Sequence, residues 1–387
     1  MKIGIFTNAY KPIISGVVNS IDLIRKGLRS LGHKVYIFAP RFSDYRDEEA
    51  GVFRFSSLNL TGQVRFPVAI PYSMRIFNII DRVAPDVIHS HHPFVLGEVG
   101  AHFAKKLNVP LIFTFHTQYE QYSHYVPLPQ EIVKKVTRTA VKNYLKKCSS
   151  IICPSPTIMP YIKEFGVKTP ITIIPNAIDL NQFRNRDPIG VKARYEIGDD
   201  EKLLIYVGRM GQEKNLEFML RSFKKAQNEV KNSRLMIVGE GPELEPLREY
   251  AGSLELGNKV IFPGRVEYNA IPDYYSAAYA FLITSTTEVK PLAILEAMAS
   301  GLPVVAVEGA GASDTVNNNT DGLITSLSED EYAGALVKIL KDKKLYESLC
   351  RGALETSAGY SIKNMALSLE DLYTKLIVSK SIKKKVI

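Results

Sequence analysis

Thr286-Thr-Glu-Val-Lys-Pro-Leu-Ala-Ile-Leu-Glu-Ala-Met-Ala-Ser-Gly-Leu-Pro-Val-Val-Ala306 is the stretch on which the fold turns. Just before it, Tyr279 to Ile283 is an apolar run bounded by Thr and Ser, which predicts a buried strand. Pro303-Val-Val-Ala-Val predicts the next strand. Between them, Leu292 to Ser300 is rich in helix formers, and Gly301 stands where a helix would stop. Strand, polar loop, helix, strand is one βαβ unit of a parallel sheet.

In such a unit ligands gather at the carboxyl end of the strand, and the helix start presents free N–H groups. Pro291 suits the first helical turn, where a missing N–H costs nothing. The amides of Leu292 and Ala293 then point outward, suited to an anion such as a diphosphate. Glu288 lies in the loop and Glu296 one turn into the helix. Carboxylates so placed can accept hydrogen bonds from sugar or ribose hydroxyls. From spacing alone they can equally be ordinary solvated residues.

A length of 387 residues is too great for one ordinary core and predicts two domains. Apolar content of 45% and charged content of 23% are those of a folded soluble protein, and no apolar run is long enough to span a bilayer. The start, Met1-Lys-Ile-Gly-Ile-Phe-Thr-Asn, is too short for a signal-peptide core. Cys148, Cys153 and Cys350 lack metal spacing, and their odd number argues against a disulfide framework. A cytoplasmic protein is expected. The net charge of +9 divides unevenly: Met1 to Pro175 holds 22 basic and 11 acidic residues, a net of +11, and the remainder is at −2. An acidic partner for the first half alone is implied, either nucleic acid or an anionic membrane surface.

Lys2 to Thr7 is predicted as the first strand. It leads through Asn8–Gly16 into a helix with apolar positions at Val17, Val18, Ile21, Ile24, Leu28 and Leu31. Gly16 would allow close approach of a ligand to the backbone, or serve only as a turn. Lys34–Ala39 and Val52–Ser56 are further strands, and Leu58–Phe77 is less regular. Asp86–His91 is a strand, followed by a helix from about Leu96 to Leu107. The histidines of His89–His92 lack the carboxylate or cysteine that would complete a metal site, and lining a polar strand end is the expectation. Pro110–Glu120 begins as a buried strand; His116 closes it at the end where ligands gather, or is a hydrogen-bonded core histidine.

Gln130 to Lys147 predicts an amphipathic helix. Ile132, Val133, Val136, Ala140, Val141, Tyr144 and Leu145 form its apolar set, and Lys134, Lys135, Arg138, Lys142 and Lys146 another face. Five cations with one acid, Glu131, point to an anionic lipid surface. A nucleic-acid platform needs aromatics among the cations, and this segment has only Tyr144. In the second half, Leu203–Gly208 is a buried strand before a turn bearing Arg209 and Lys214. An Arg and a Lys so placed can neutralise a diphosphate, or form a surface ion-pair system.

Glu288-x7-Glu296 followed by Ala-Met-Ala-Ser-Gly-Leu-Pro-Val-Val resembles the signature of the retaining family 4 glycosyltransferases, which have the GT-B fold. Gly-Arg209-x4-Lys214 resembles the family's diphosphate pair, Asn8–Gly16 its loop at the donor phosphates, and Phe-His116-Thr its cleft histidine. Ile174-Pro-Asn-Ala-Ile-Asp-x3-Phe183 resembles its crossover between domains. One departure stands out: Val289-Lys290-Pro291 replaces the usual Gly-bearing loop. The resemblance implies an α/β protein of two doubly wound Rossmann-like domains facing across a cleft. Residues 1–175 would bind the acceptor, 176–365 the nucleotide sugar, and 366–387 would return to the first domain.

It implies roles as well. Arg209, Lys214 and the Leu292 and Ala293 amides would hold the diphosphate, so that no metal is obligatory. Glu296 would hold the ribose, Glu288 the donor sugar, and the strand ending at Val266 the base. His116 would orient donor and acceptor. Gln118–Tyr125 resembles the subset of the family that glucosylates diacylglycerol. The expectation is therefore a hexosyltransferase moving glucose from UDP-glucose to diacylglycerol, cytoplasmic and peripheral to the inner face of the cell membrane. A phosphoinositol or soluble sugar acceptor, or a GT-B-type nucleotide-sugar epimerase, are the alternatives.

Overall fold

A computed structural model describes residues 1–13, 15–59, 67–117, 119–120, 129–184, 186–286 and 292–385. The chain forms two compact units, Met1–Ala177 with Ile362–Ile387, and Ile178–Ser361.

The sheet of the first unit contains β1 (Lys2–Phe6), β2 (Lys34–Pro40), β3 (Val52–Phe55), β6 (Val87–Ser90), β7 (Leu111–Thr114), β8 (Ser150–Cys153) and β9 (Ile171–Ile173). Their order is β3-β2-β1-β6-β7-β8-β9, and every pair is parallel. Strands β6, β7 and β8 are buried along their whole length, as expected of strands covered by helices on both faces. Ile3, Ile5, Val87, Ile112 and Ile152 form the centre of the core. The C-terminal helix, Ile362–Lys385, adds Met365, Leu369 and Tyr373 to it. Gly27 makes that possible, because a Cβ there would stand 2.8 Å from Ala366 Cβ.

The second unit has β10 (Lys202–Val207), β11 (Ser233–Val238), β12 (Val260–Gly264), β13 (Ala280–Ile283), β14 (Val304–Val307) and β15 (Gly322–Thr325), ordered β12-β11-β10-β13-β14-β15. All of its pairs are parallel. The opening stretch of sequence is the β13–helix–β14 unit, with the helix at Leu292–Ala299. Its Ile294, Leu295 and Met298 are fully buried against the sheet.

Ile178 and Ser361 form a bridge at the two ends of the second unit. Two expectations need adjusting. The described part of Ser57–Phe77 is more ordered than its sequence suggests. It contains the antiparallel pair β4 (Ser57–Asn59) and β5 (Pro67–Ala69), then a helix, Met74–Val83, capped by the Ser73 side chain. Finally, the helix Gln130–Leu145 buries only Val141, Tyr144 and Leu145. Ile132 and Val136 are 58% and 62% exposed, and Arg138 is tied to Glu120 and Glu164 rather than free.

Candidate active site

In each sheet the chain starts at a central strand, winds to one side, and then resumes on the other. That reversal leaves a crevice at the carboxyl ends of two neighbouring strands, where ligands bind in open α/β sheets. In the second unit it lies between β10 and β13, and in the first between β1 and β6.

The β10 end carries Arg209 and Lys214. Their loop is held through its backbone. Tyr206 donates to the Arg209 carbonyl at 3.1 Å, Ser285 to that of Glu213 at 3.0 Å, and Thr284 to that of Lys214 at 2.8 Å. Thr284 and Ser285 follow β13, so these bonds tie the basic loop to the one that leads toward Leu292–Ala299. The turn after β11 packs against the same loop without side chains. A Cβ on Gly239 would stand 1.9 Å from the Gly208 carbonyl oxygen, and Gly239 also has φ of 139°. Only glycine fits there. Arg209 is exposed beside Glu213, and Lys214 is half-buried.

Glu296 is a strongly perturbed carboxyl of this unit. Its side chain sits one turn into the helix Leu292–Ala299, and the residue is only 7% exposed. The Tyr268 hydroxyl donates to Oε1 at 3.0 Å and the Tyr275 hydroxyl to Oε2 at 3.3 Å. Burial pushes the carboxyl up to about 7, and the two hydroxyls pull the other way without cancelling it. Of the two readings its spacing allowed, the solvated one is excluded by this burial. Leu292 and Ala293 are half-buried at the helix start, and Val266 is half-buried just past β12. Glu288 and Val289-Lys290-Pro291 lie outside the described residues.

At the first unit's reversal, Gly16 opens the helix Gly16–Ser30, whose cap is Ser15 accepting from the Val18 amide. The loop after β1 is stitched to the one after β6. Asn8 N donates to His92 Nδ1 at 3.1 Å, its side-chain amide donates to the Phe94 carbonyl, and its side-chain oxygen accepts from Leu96 N. His89 is wholly buried between the Tyr373 hydroxyl at 2.7 Å and Thr114 Oγ1 at 2.6 Å. His91 Nδ1 lies 2.8 Å from Nε2 of His116, which follows β7 and is half-buried. Burial lowers the pKa of all four histidines, His89 and His116 to about 3 and His92 to about 4. Among the described residues, no group of three or more His, Cys, Asp or Glu is placed to hold a metal ion.

Sequence reasoning missed Tyr268, Tyr275 and His91 as partners of site residues. Each meets its partner only through the pairing of distant segments, and no local pattern marks it.

Comparison with known proteins follows the same outline. The model of the family "Glycosyltransferase Family 4" matches residues 14–182, and that of "Glycosyl transferases group 1" matches residues 191–355. The alpha-monoglucosyldiacylglycerol synthase of Streptococcus pneumoniae is 30% identical over 400 residues, covering 99% of this chain and 88% of its own. That of Acholeplasma laidlawii is 29% identical over 389 residues, covering 97% and 98%. Among solved structures, HepE of Anabaena in complex with UDP has a TM-score of 0.79 at 18% identity, over 97% of this chain and 100% of its own. At such an identity the likeness speaks of fold.

Proposed function

We propose, for a chain that belongs to the family 4 glycosyltransferases and has the GT-B fold, one reaction: glucose passes from UDP-glucose to diacylglycerol with retention at the anomeric carbon. The observation that carries this reading is Glu296. A buried carboxylate, gripped by two phenols just inside a helix N-terminus at the sheet's reversal, suits a ligand that bears vicinal hydroxyls next to phosphates. The name shared by the S. pneumoniae and A. laidlawii relatives supports the choice of sugar and of a lipid acceptor.

In this reading Glu296 accepts from the ribose hydroxyls, and the backbone about Val266 meets the base. Arg209, Lys214 and the Leu292 and Ala293 amides hold the diphosphate, and the Gly16 loop approaches the donor phosphates. These groups stabilise the charge that develops on the leaving diphosphate, a task that a metal performs elsewhere. Glu288 holds hydroxyls of the transferred glucose, and His116 orients donor and acceptor. Departure and attack take place on one face of the sugar within an ion-pair-like state.

The charge and the exposed apolar residues support docking on an anionic membrane. By sequence the first unit holds 28 basic and 13 acidic residues, a net of +15, and the second unit is at −6. On Gln130–Leu145 the exposed Ile132 and Val136 lie one turn apart, with Lys135 and, just past the helix end, Lys146 also exposed. Leu58, Val68, Tyr72 and Met74 are exposed on the β4–β5 pair and the segment after it. No helix of the described residues is long and apolar enough to cross a membrane. A peripheral enzyme on the inner, cytoplasmic face fits these features, each cation near such a surface adding about 1 kcal/mol.

Radiolabelled UDP-glucose with anionic vesicles containing diacylglycerol tests the whole reading. Label is expected in the lipid phase, and its absence alongside turnover on a soluble acceptor would remove the lipid assignment. Ile132→Asp with Val136→Asp is expected to weaken vesicle binding by about 10-fold, leaving UDP affinity unchanged. Unaltered vesicle sedimentation would show that this helix is not the docking element.

A further inference from the structure

The assignments above leave His91 without a role. It stands wholly buried at the turn after β6. Its Nδ1 is 2.8 Å from His116 Nε2, and the two rings lie nearly parallel, at 21° with centroids 5.1 Å apart. Burial, together with His89 and His92 beside them, keeps both rings neutral. Two neutral imidazoles that share a hydrogen bond have one N–H between them, and the protein must settle which ring owns it.

The choice is decided by the far nitrogen of His91. His91 Nε2 is buried and has no hydrogen-bond partner among the described residues. Were His116 Nε2–H the donor, His91 would carry its own proton on Nε2, a buried N–H with no acceptor. Were His91 Nδ1–H the donor, only a bare lone pair would be left there. Orphaned buried N–H groups are the rarer and costlier of the two. The proton of His116 then sits on Nδ1, away from His91.

We infer that His91 is a positioning residue that sets the tautomer of His116, so that His116 offers an N–H donor at Nδ1 and no basic lone pair. The tautomer follows from the first unit alone. Its use rests on the transferase reading: a neutral imidazole N–H suits an oxygen of the transferred sugar or the acceptor, and it excludes His116 as the base that deprotonates the acceptor hydroxyl.

Long-range proton–nitrogen correlation spectra of the full-length protein with labelled histidine distinguish the two tautomers. The His116 signals can be identified by their loss in His116→Gln. Nδ1 protonated and Nε2 bare is the expected result at pH 7 to 8. The opposite pattern in the unaltered protein overturns the inference without need of any further variant. His91→Phe removes the donor that fixes the tautomer, so the spectra should show a mixture of the two His116 forms, and kcat is expected to fall about 10-fold with KM for the nucleotide sugar unchanged. His91→Asn, which can place an amide N–H near the original Nδ1, should recover most of that loss. Equal losses in both variants would reduce His91 to a packing residue. Failure to turn over any nucleotide sugar would sink the proposed reaction, while the spectra would still decide the tautomer.

Discussion

Glu296→Gln is expected to make the protein more stable and to weaken its hold on the nucleotide. In the folded chain the carboxyl titrates near 7, against 4.5 for the free group. The native state therefore binds the Glu296 proton more tightly than the unfolded one between those values, and this group's contribution to stability falls as pH rises from 4.5 to 7. Above pH 7 a charged carboxylate is held in a site that disfavours it, at a cost on the order of 3 kcal/mol. An amide removes that cost and can still accept one phenol hydroxyl. The gain over wild type should be absent near pH 4.5, grow through pH 7, and level off beyond it. Thermal unfolding of both proteins across that range measures it directly.

On the proposed reading the same change removes the charged acceptor for the ribose hydroxyls, worth roughly 1.5–3 kcal/mol, or about 10- to 100-fold in UDP affinity. In the wild type, UDP should bind more weakly as pH falls below 7, because a protonated Glu296 is the poorer acceptor. Tyr268→Phe, which takes away a donor to the carboxylate, should move that transition to higher pH. Titration calorimetry of UDP at several pH values gives both results. A Gln variant that binds UDP like wild type would remove Glu296 from the nucleotide site, and with it the observation on which the reaction rests.

Lys214→Ala is expected to lower kcat by about 100- to 1000-fold, the usual scale for losing one fixed positive group from a developing charge. Arg209→Ala should act in the same direction. Neither should cost much stability. The loop is anchored by Tyr206, Thr284 and Ser285 through its backbone carbonyls, so the truncated side chains leave its course intact. Steady-state rates with UDP-glucose, beside circular dichroism and melting curves, separate the two effects. Near-normal turnover in Lys214→Ala would move the diphosphate elsewhere.

Legibility differed between fold and site. The continuous apolar runs at Leu203–Val207, Tyr279–Ile283 and Pro303–Val307, spaced by helical segments, already demand parallel strands covered on both faces. The basic turn after β10 and the amide-bearing start of Leu292–Ala299 were visible for the same reason, since each is a local feature at a strand end. The helix Met74–Val83 was missed although Ser73 is a fair capping signal; at 10 residues its period is short and its flanks are irregular.

What could not be read from residue order was whatever depends on a second segment. Glu296 had two readings until Tyr268 and Tyr275, 28 and 21 positions earlier, closed over it and excluded water. His116 meets His91 only through the parallel pairing of β6 with β7. Ile132 and Val136 have the helical period of a core face, and a period states which residues share a side but not whether that side meets protein. Chain pattern specifies backbone direction and face because those follow from local sterics and solvent preference. Burial, protonation and tautomer depend on what stands opposite, and that neighbour is supplied only when the chain has folded.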